Sequence, residues 1–128
     1  MTSRTPIEVV AAAIERGGRY LLGRRPATGA PRSGLWEFPG GKVDADESHA
    51  EALAREIVEE LDVGVTVEAR LATVEHRYPD RTVRLHLYRC RVAGEPRATY
   101  HDEVGWFTVA ELAALELSEA DRDLLRWL

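Results

Sequence analysis

A chain of 128 residues with 45% hydrophobic content can bury one core and form one compact domain without disulfides or a structural metal. A formal charge of −5 argues against a duplex DNA or RNA binder, which carries a clustered excess of Lys and Arg, so a polyanionic substrate would need something other than net charge to attract it. Cys90 is the only cysteine, which excludes an intrachain disulfide and reads as a small core residue in a reducing compartment.

From the N-terminus, Met1 to Pro6 lacks the apolar stretch of a signal peptide, and no later run approaches the roughly 20 apolar residues of a membrane span. That predicts a cytoplasmic protein without membrane contact. Ile7 to Ile14 is a near-continuous apolar run, and Arg19 to Arg24 holds a second, with Gly17-Gly18 between them. The pattern predicts a two-strand hairpin whose first strand is buried on both faces. Pro26 to Gly34 reads as a loop, and Leu35 to Gly41 as a short extended piece ending in a glycine turn. Lys42, beside that turn, is the only lysine in the chain.

The clearest helix runs from Ser48 to about Asp62. Ser48 followed three residues later by Glu51 forms a capping box. Leu53, Ile57 and Leu61, with Ala50 and Ala54, form one apolar stripe. Val65 to Glu75 and Thr82 to Val92 read as strands joined by Arg77 to Arg81, and Gly105 to Thr108 as a last short strand. Brief helices are expected near Val109 to Leu115 and near Glu119 to Leu128, the second capped by Ser118. Strands and helices mixed in this order predict an α/β sandwich with a mixed sheet.

On the capped helix, Glu56, Glu59 and Glu60 stand at i, i+3 and i+4, within an arc of roughly 100°. They are expected on the face opposite the apolar stripe, with only Arg55 nearby to compensate their charge. Such a triad is either a solvated helix surface or a site for a hard cation that takes oxygen ligands and leaves positions for water and phosphate. Upstream, Gly40-Gly41-Lys42 lets backbone approach a ligand closely, and Glu47 adds a fourth acid.

Gly41, Glu47, Arg55, Glu56, Ile57, Glu59, Glu60 and Val63 together resemble the Nudix box: a Gly, five residues, Glu, seven residues, Arg-Glu, an aliphatic residue, any residue, Glu-Glu, any residue, Gly and an aliphatic residue. Asp62 stands where the family has Gly. Asp tolerates the left-handed conformation that ends a helix, so a local adjustment is expected there. The likeness covers nearly the whole chain. Val9 to Ile14, Leu22 to Pro26, Gly34 to Lys42 and Tyr78 to Arg81 look like the MutT-type branch, which includes 8-oxo-dGTP diphosphatases and CTP pyrophosphohydrolases.

This resemblance implies a single α/β/α sandwich domain with its box at residues 41–63, and a hydrolase of nucleoside triphosphates yielding a monophosphate and pyrophosphate. It implies Mg²⁺, with Mn²⁺ able to substitute, held by the Gly40 carbonyl and by Glu56, Glu59 and Glu60. Arg55 would orient the glutamates, Glu47 would act as an auxiliary group, and Lys42 would neutralise substrate phosphate unless it is merely a surface lysine. For the general base, some relatives use an acid six residues before the tryptophan of the final strand. Here that position is Tyr100, followed by a matching His101. The base is then Glu56, or Asp102 or Glu103 from the same loop.

Candidate nucleotide contacts are Arg24, Trp36 and Glu37 in the first half, and Tyr78, Asp80, Arg81 and Asp121 in the second. Trp36 and Tyr78 could stack on a base or simply belong to the core. Asp121, read as an acceptor-only carboxylate, suits the exocyclic amine of cytosine or the N1–H and amino edge of a guanine, or serves only the helix start. The implied partner is a small nucleotide, with a monomer or homodimer as the assembly. Other Nudix substrates, such as ADP-ribose or dinucleoside polyphosphates, stay open, as does a non-catalytic nucleotide sensor.

Overall fold

The computed structural model describes residues 5–128, so the leader reading at residues 1–4 lies outside the described residues. The expected hairpin forms from β1 (Ile7–Arg16) and β2 (Arg19–Arg24), but the two strands pair only at its turn end, Glu15 with Tyr20 and Arg16 with Arg19. Beyond that point they part. β2 enters an antiparallel group with β3 (Trp36–Glu37) and β7 (Glu103–Phe107). β1 instead lies between β4 (Gly40–Lys42), antiparallel, and β6 (Thr82–Val92), parallel over eight register pairs from Ile7–Val83 to Ile14–Cys90. β5 (Val65–Arg77) completes the mixed group against β6, with register shifts between Val67 and Ala72.

The glycine turn expected at Gly40-Gly41 is therefore an edge strand. Gly40 sits at φ 152°, where a Cβ would lie 2.0 Å from the Val10 carbonyl oxygen, so only glycine lets the two backbones come this close.

Helix α1 (His49–Leu61) carries the capping box as expected: Ser48 Oγ accepts from Glu51 N–H, and Glu51 accepts from Ser48 N–H. Its end is equally local. Asp62 adopts φ 54°, ψ 40°, and its N–H reaches the Val58 carbonyl, so the Asp that replaces glycine does take the left-handed turn. Leu53, Ile57 and Leu61 are fully buried against Val10, Ala12, Ile14 and Leu21. Each such side chain contributes roughly 1.5–3 kcal/mol of burial free energy.

The opposite face of β1 belongs to a second core. Ala11, Ala13 and Leu87 pack there with Leu112 of α2 (Val109–Ala114) and with Ala120 and Leu124 of α3 (Glu119–Leu124), which a single 3-10 turn at Leu125–Trp127 follows. β1 is thus buried on both faces from Val10 to Ile14, and helices cover both faces of the sheet. The fold is an α/β/α sandwich. Cys90 is buried within it, and burial pushes its thiol up to about 12. No helix among the described residues is long and apolar enough to cross a membrane.

Candidate active site

A cavity of about 560 Å³ opens where β1, β3, β4, α1 and the start of α3 meet, within the range common for small-molecule sites. Gly40, Gly41, Lys42, Glu56, Glu59 and Glu60 line one part of it, and Trp36, Glu37, Tyr78, Arg81 and Asp121 another. The expected face opposite the apolar stripe is not what forms. Glu60 is buried at 6% exposure, whereas the Glu59 side chain is 58% exposed. On the helix, Glu60 lies beside Leu53 rather than across from it, so the acidic arc runs from solvent down into the core at β4.

Arg55 holds this arc from outside. Its Nε and Nη2 grip both Glu47 oxygens at 2.8 and 2.9 Å, Nη1 binds Glu56 Oε1 at 2.8 Å, and Nη2 also meets the Lys42 carbonyl at 3.1 Å. Those bonds, with the Asp44 N–H, hold Glu47 down to about 2. Glu56 rests on Gly41, where a Cβ would stand 2.4 Å from the carboxyl carbon. The loop after β6 closes the helix end, with Arg97 and Thr99 N–H groups on the Leu61 and Glu60 carbonyls and Thr99 Oγ1 on that of Glu59.

Glu60 accepts a hydrogen bond from Gly40 N–H at 3.3 Å. Burial, reinforced by the charges of Glu37 and Glu56, pushes its carboxyl up to about 9. A buried acid beside two others is a conflict that a hard divalent cation with oxygen ligands resolves, so the donor set fits such an ion. His101, buried, places Nε2 2.9 Å from Glu37 and 3.9 Å from Glu60. Its ring occupies the space that a Cβ on Gly23 would invade at 2.4 Å. The Glu37–His101 link was invisible in the sequence, since the two residues are 64 apart.

Other expected contacts are not brought to the cavity. Arg24 pairs with Glu103 at 3.0 Å and lies 3.8 Å from Asp102, and none of the three lines the cavity. Antiparallel pairing of β2 with β7 sets Arg24 opposite Glu103, and their opposite charges meet there. Asp80 is likewise turned aside, gripped by both terminal nitrogens of Arg32 at 3.0 and 2.9 Å, which holds it down to about 2. Arg32 and Arg25, which the sequence did not single out, do line the cavity.

Tyr78 is 8% exposed, with the Arg32 guanidinium 4.3 Å from its ring centre and its hydroxyl accepting from Ala120 N–H. It is built into the core as much as into the site. Trp36 packs edge-on against Phe107. Asp121 is buried at 7% exposure, and that burial, with Glu37 adding repulsion, pushes its carboxyl up to about 8, toward the protonated form rather than the acceptor-only carboxylate expected from the sequence. It accepts from Ser118 Oγ at 2.9 Å while its N–H meets that hydroxyl at 3.4 Å, so the residue serves the helix start and lines the cavity together.

The NUDIX domain model matches residues 9–127. The chain is 42% identical over 120 residues to the CTP pyrophosphohydrolase of Escherichia coli, covering 93% of this chain and 88% of that protein. It is 34% identical to the 8-oxo-dGTP diphosphatase of Proteus vulgaris, over 69% of this chain and 79% of the other. The crystal structure of a MutT NUDIX hydrolase from Burkholderia pseudomallei superposes with a TM-score of 0.88 at 34% identity, covering 98% and 99% of the two chains. With its box glutamates gathered on one cavity wall, the chain belongs to the NUDIX domain family and is a Nudix hydrolase, an enzyme class that uses divalent metal ions.

Proposed function

We propose that this enzyme is a Mg²⁺-dependent nucleoside triphosphate pyrophosphohydrolase, converting a triphosphate and water to a monophosphate and pyrophosphate, with (d)CTP or an oxidised nucleotide such as 8-oxo-dGTP as substrate. The observation that carries the reading is one cavity with the carboxylates of Glu56, Glu59 and Glu60 in one part and the buried carboxyl of Asp121 in another. The relatives named above act on nucleotides of these two kinds.

Gly40, through its carbonyl, with Glu56, Glu59 and Glu60, would hold the ion. Once bound, Mg²⁺ supplies a more acidic water and offsets charge on the phosphoryl oxygens. Glu56 takes the proton of the attacking water, because it lines the cavity whereas Asp102 and Glu103 are drawn to Arg24 outside it. Arg55 aims the Glu56 carboxylate by a 2.8 Å charge-assisted bond. Lys42 and Arg81 face the cavity and balance phosphate charge. Asp121, as a neutral acid, offers one donor and one acceptor, complementary to the N3/N4 edge of cytosine and to the N1/O6 edge of guanine.

The test is kcat/KM for CTP, dCTP, UTP, dGTP, 8-oxo-dGTP and ADP-ribose with Mg²⁺, scoring pyrophosphate against phosphate release. Pyrophosphate from a cytosine or 8-oxoguanine triphosphate is expected, and Asp121→Ala should compress the ranking. ADP-ribose as the best substrate, or phosphate as the product, rejects the reading.

A further inference from the structure

A second group of potential metal ligands lies on the other face of the sheet from the cavity. Val9, Ala11 and Ala13 of β1 pack into the core under α2 and α3 and Val10, Ala12 and Ile14 into the core under α1, so by strand alternation Glu8 shares the α1 face with Val10, and register sets Arg84 and His86 of β6 beside them. His49, the first residue of α1, comes down on this spot, its ring centre 4.4 Å from that of His86. One carboxylate oxygen of Glu8 and one ring nitrogen from each histidine lie within 4.8 Å of one another.

The surroundings prepare these atoms as ligands. His49 Nδ1 is 2.7 Å from the Tyr88 hydroxyl, and His86 Nδ1 is 3.0 Å from Thr73 Oγ1. With both Nδ1 atoms engaged by hydroxyls, Nε2 is the nitrogen each ring has left for an ion, and that of His86 already meets Glu8 Oε1 at 2.7 Å. Metal-binding histidines typically show this arrangement, one nitrogen on the ion and the other on an oxygen that fixes ring and tautomer. Glu8 divides its oxygens similarly, Oε2 on Arg84 at 2.8 Å and Oε1 on His86 Nε2 at 2.7 Å. Roughly 3.3 Å separates neighbouring ligands at zinc–nitrogen lengths of about 2.0–2.1 Å, so a small opening of the Glu8–His86 contact admits the ion.

We propose that Glu8, His49 and His86 form a second divalent metal site, selective for zinc-class ions over Mg²⁺, which ties the start of α1 to β1 and β6. Two imidazoles and one carboxylate suit Zn²⁺, whereas Mg²⁺ favours all-oxygen shells. The His86 side chain is 7% exposed and that of Glu8 37%, so the ligands are shielded yet reachable from solvent. Arg84 opposes the cation, but Glu75 lies 3.6 Å from it and shares its charge.

Titrating Zn²⁺ into the full chain in excess Mg²⁺, by calorimetry and by the visible absorption of Co²⁺ used in its place, tests the site. One high-affinity equivalent is expected. His49→Gln should weaken its binding at least tenfold while Mg²⁺-dependent turnover persists, and Tyr88→Phe should weaken it about 10–100-fold through the lost support of the His49 ring. Because the Tyr88→Phe change keeps the ring and removes one hydroxyl, it stays informative if His49→Gln folds poorly. Absence of a tight Zn²⁺ equivalent, or binding unchanged in both variants and abolished instead by Glu60→Gln, overturns the proposal.

Discussion

At Asp121 the fold acts on a single proton, because burial pushes the carboxyl up. The ordinary value is 3.8 and the folded value about 8, so between these pH values the native chain keeps a proton that the unfolded chain has released. The stabilising contribution is therefore complete below about pH 4 and is lost as pH rises through about 8. Asn has the same shape and no titrating proton. In metal-free buffer, urea denaturation should show the wild type losing stability relative to Asp121→Asn between pH 5 and 8, with a limiting slope of about 1.4 kcal/mol per pH unit. Parallel curves would mean that Asp121 is ionised in the folded state.

Element α1 separates what folds from what works. Its start rests on the Ser48–Glu51 box, and Ser48→Ala should cost about 1 kcal/mol in urea melts with kcat unchanged. The strand opposite is different: Gly41→Ala would set a methyl group 2.4 Å from the Glu56 carboxyl carbon, so that carboxyl must move. Here kcat should fall more than tenfold, since misplacing a reacting group by about 1 Å costs on the order of 100-fold. Equal kcat in the two variants would show that Glu56 tolerates displacement. The glutamate spacing and the capping box were legible in the sequence because both are set within four residues. The burial of Glu60 was not, since it depends on β4 and on Glu37, 23 positions away along the chain.

For the molecule as a whole, the cavity is where folding and function pull against each other. A buried Glu60 beside Glu37 and Glu56 costs stability until a cation arrives. In the proposed function Mg²⁺ binds only the folded chain, so at about 100 times its dissociation constant it should add about 2.7 kcal/mol and raise Tm by several degrees. Glu60→Gln should do the reverse in calorimetry, raising Tm without metal and shrinking the Mg²⁺ increment. A Gln variant with the full increment would remove Glu60 from the ligand set. In the proposed function the same ion would let a chain of charge −5 take a polyanion, with the attraction local to the site rather than spread over the surface.

The sequence alone determined the longer local elements: the long strands by apolar runs, α1 by its cap and by the Leu53, Ile57 and Leu61 of its stripe, the closeness of Glu56, Glu59 and Glu60 by their spacing, and the Asp62 turn by what Asp tolerates. Each is decided by backbone hydrogen bonds and sterics within a few residues, whereas Ala50 and Ala54 of the expected stripe are exposed and Ala52 is buried instead. Only the tertiary structure decided the parallel pairing of β1 with β6, the diversion of Glu103 to Arg24 and of Asp80 to Arg32, and the meeting of His101 with Glu37. It also decided the burial that pushes the carboxyls of Asp121 and Glu60 up, and the grouping of Glu8 with His49 and His86. The reason is physical: charge, protonation and ligand geometry follow from which distant side chains exclude water around a group, and that is set by packing rather than by neighbours in the chain.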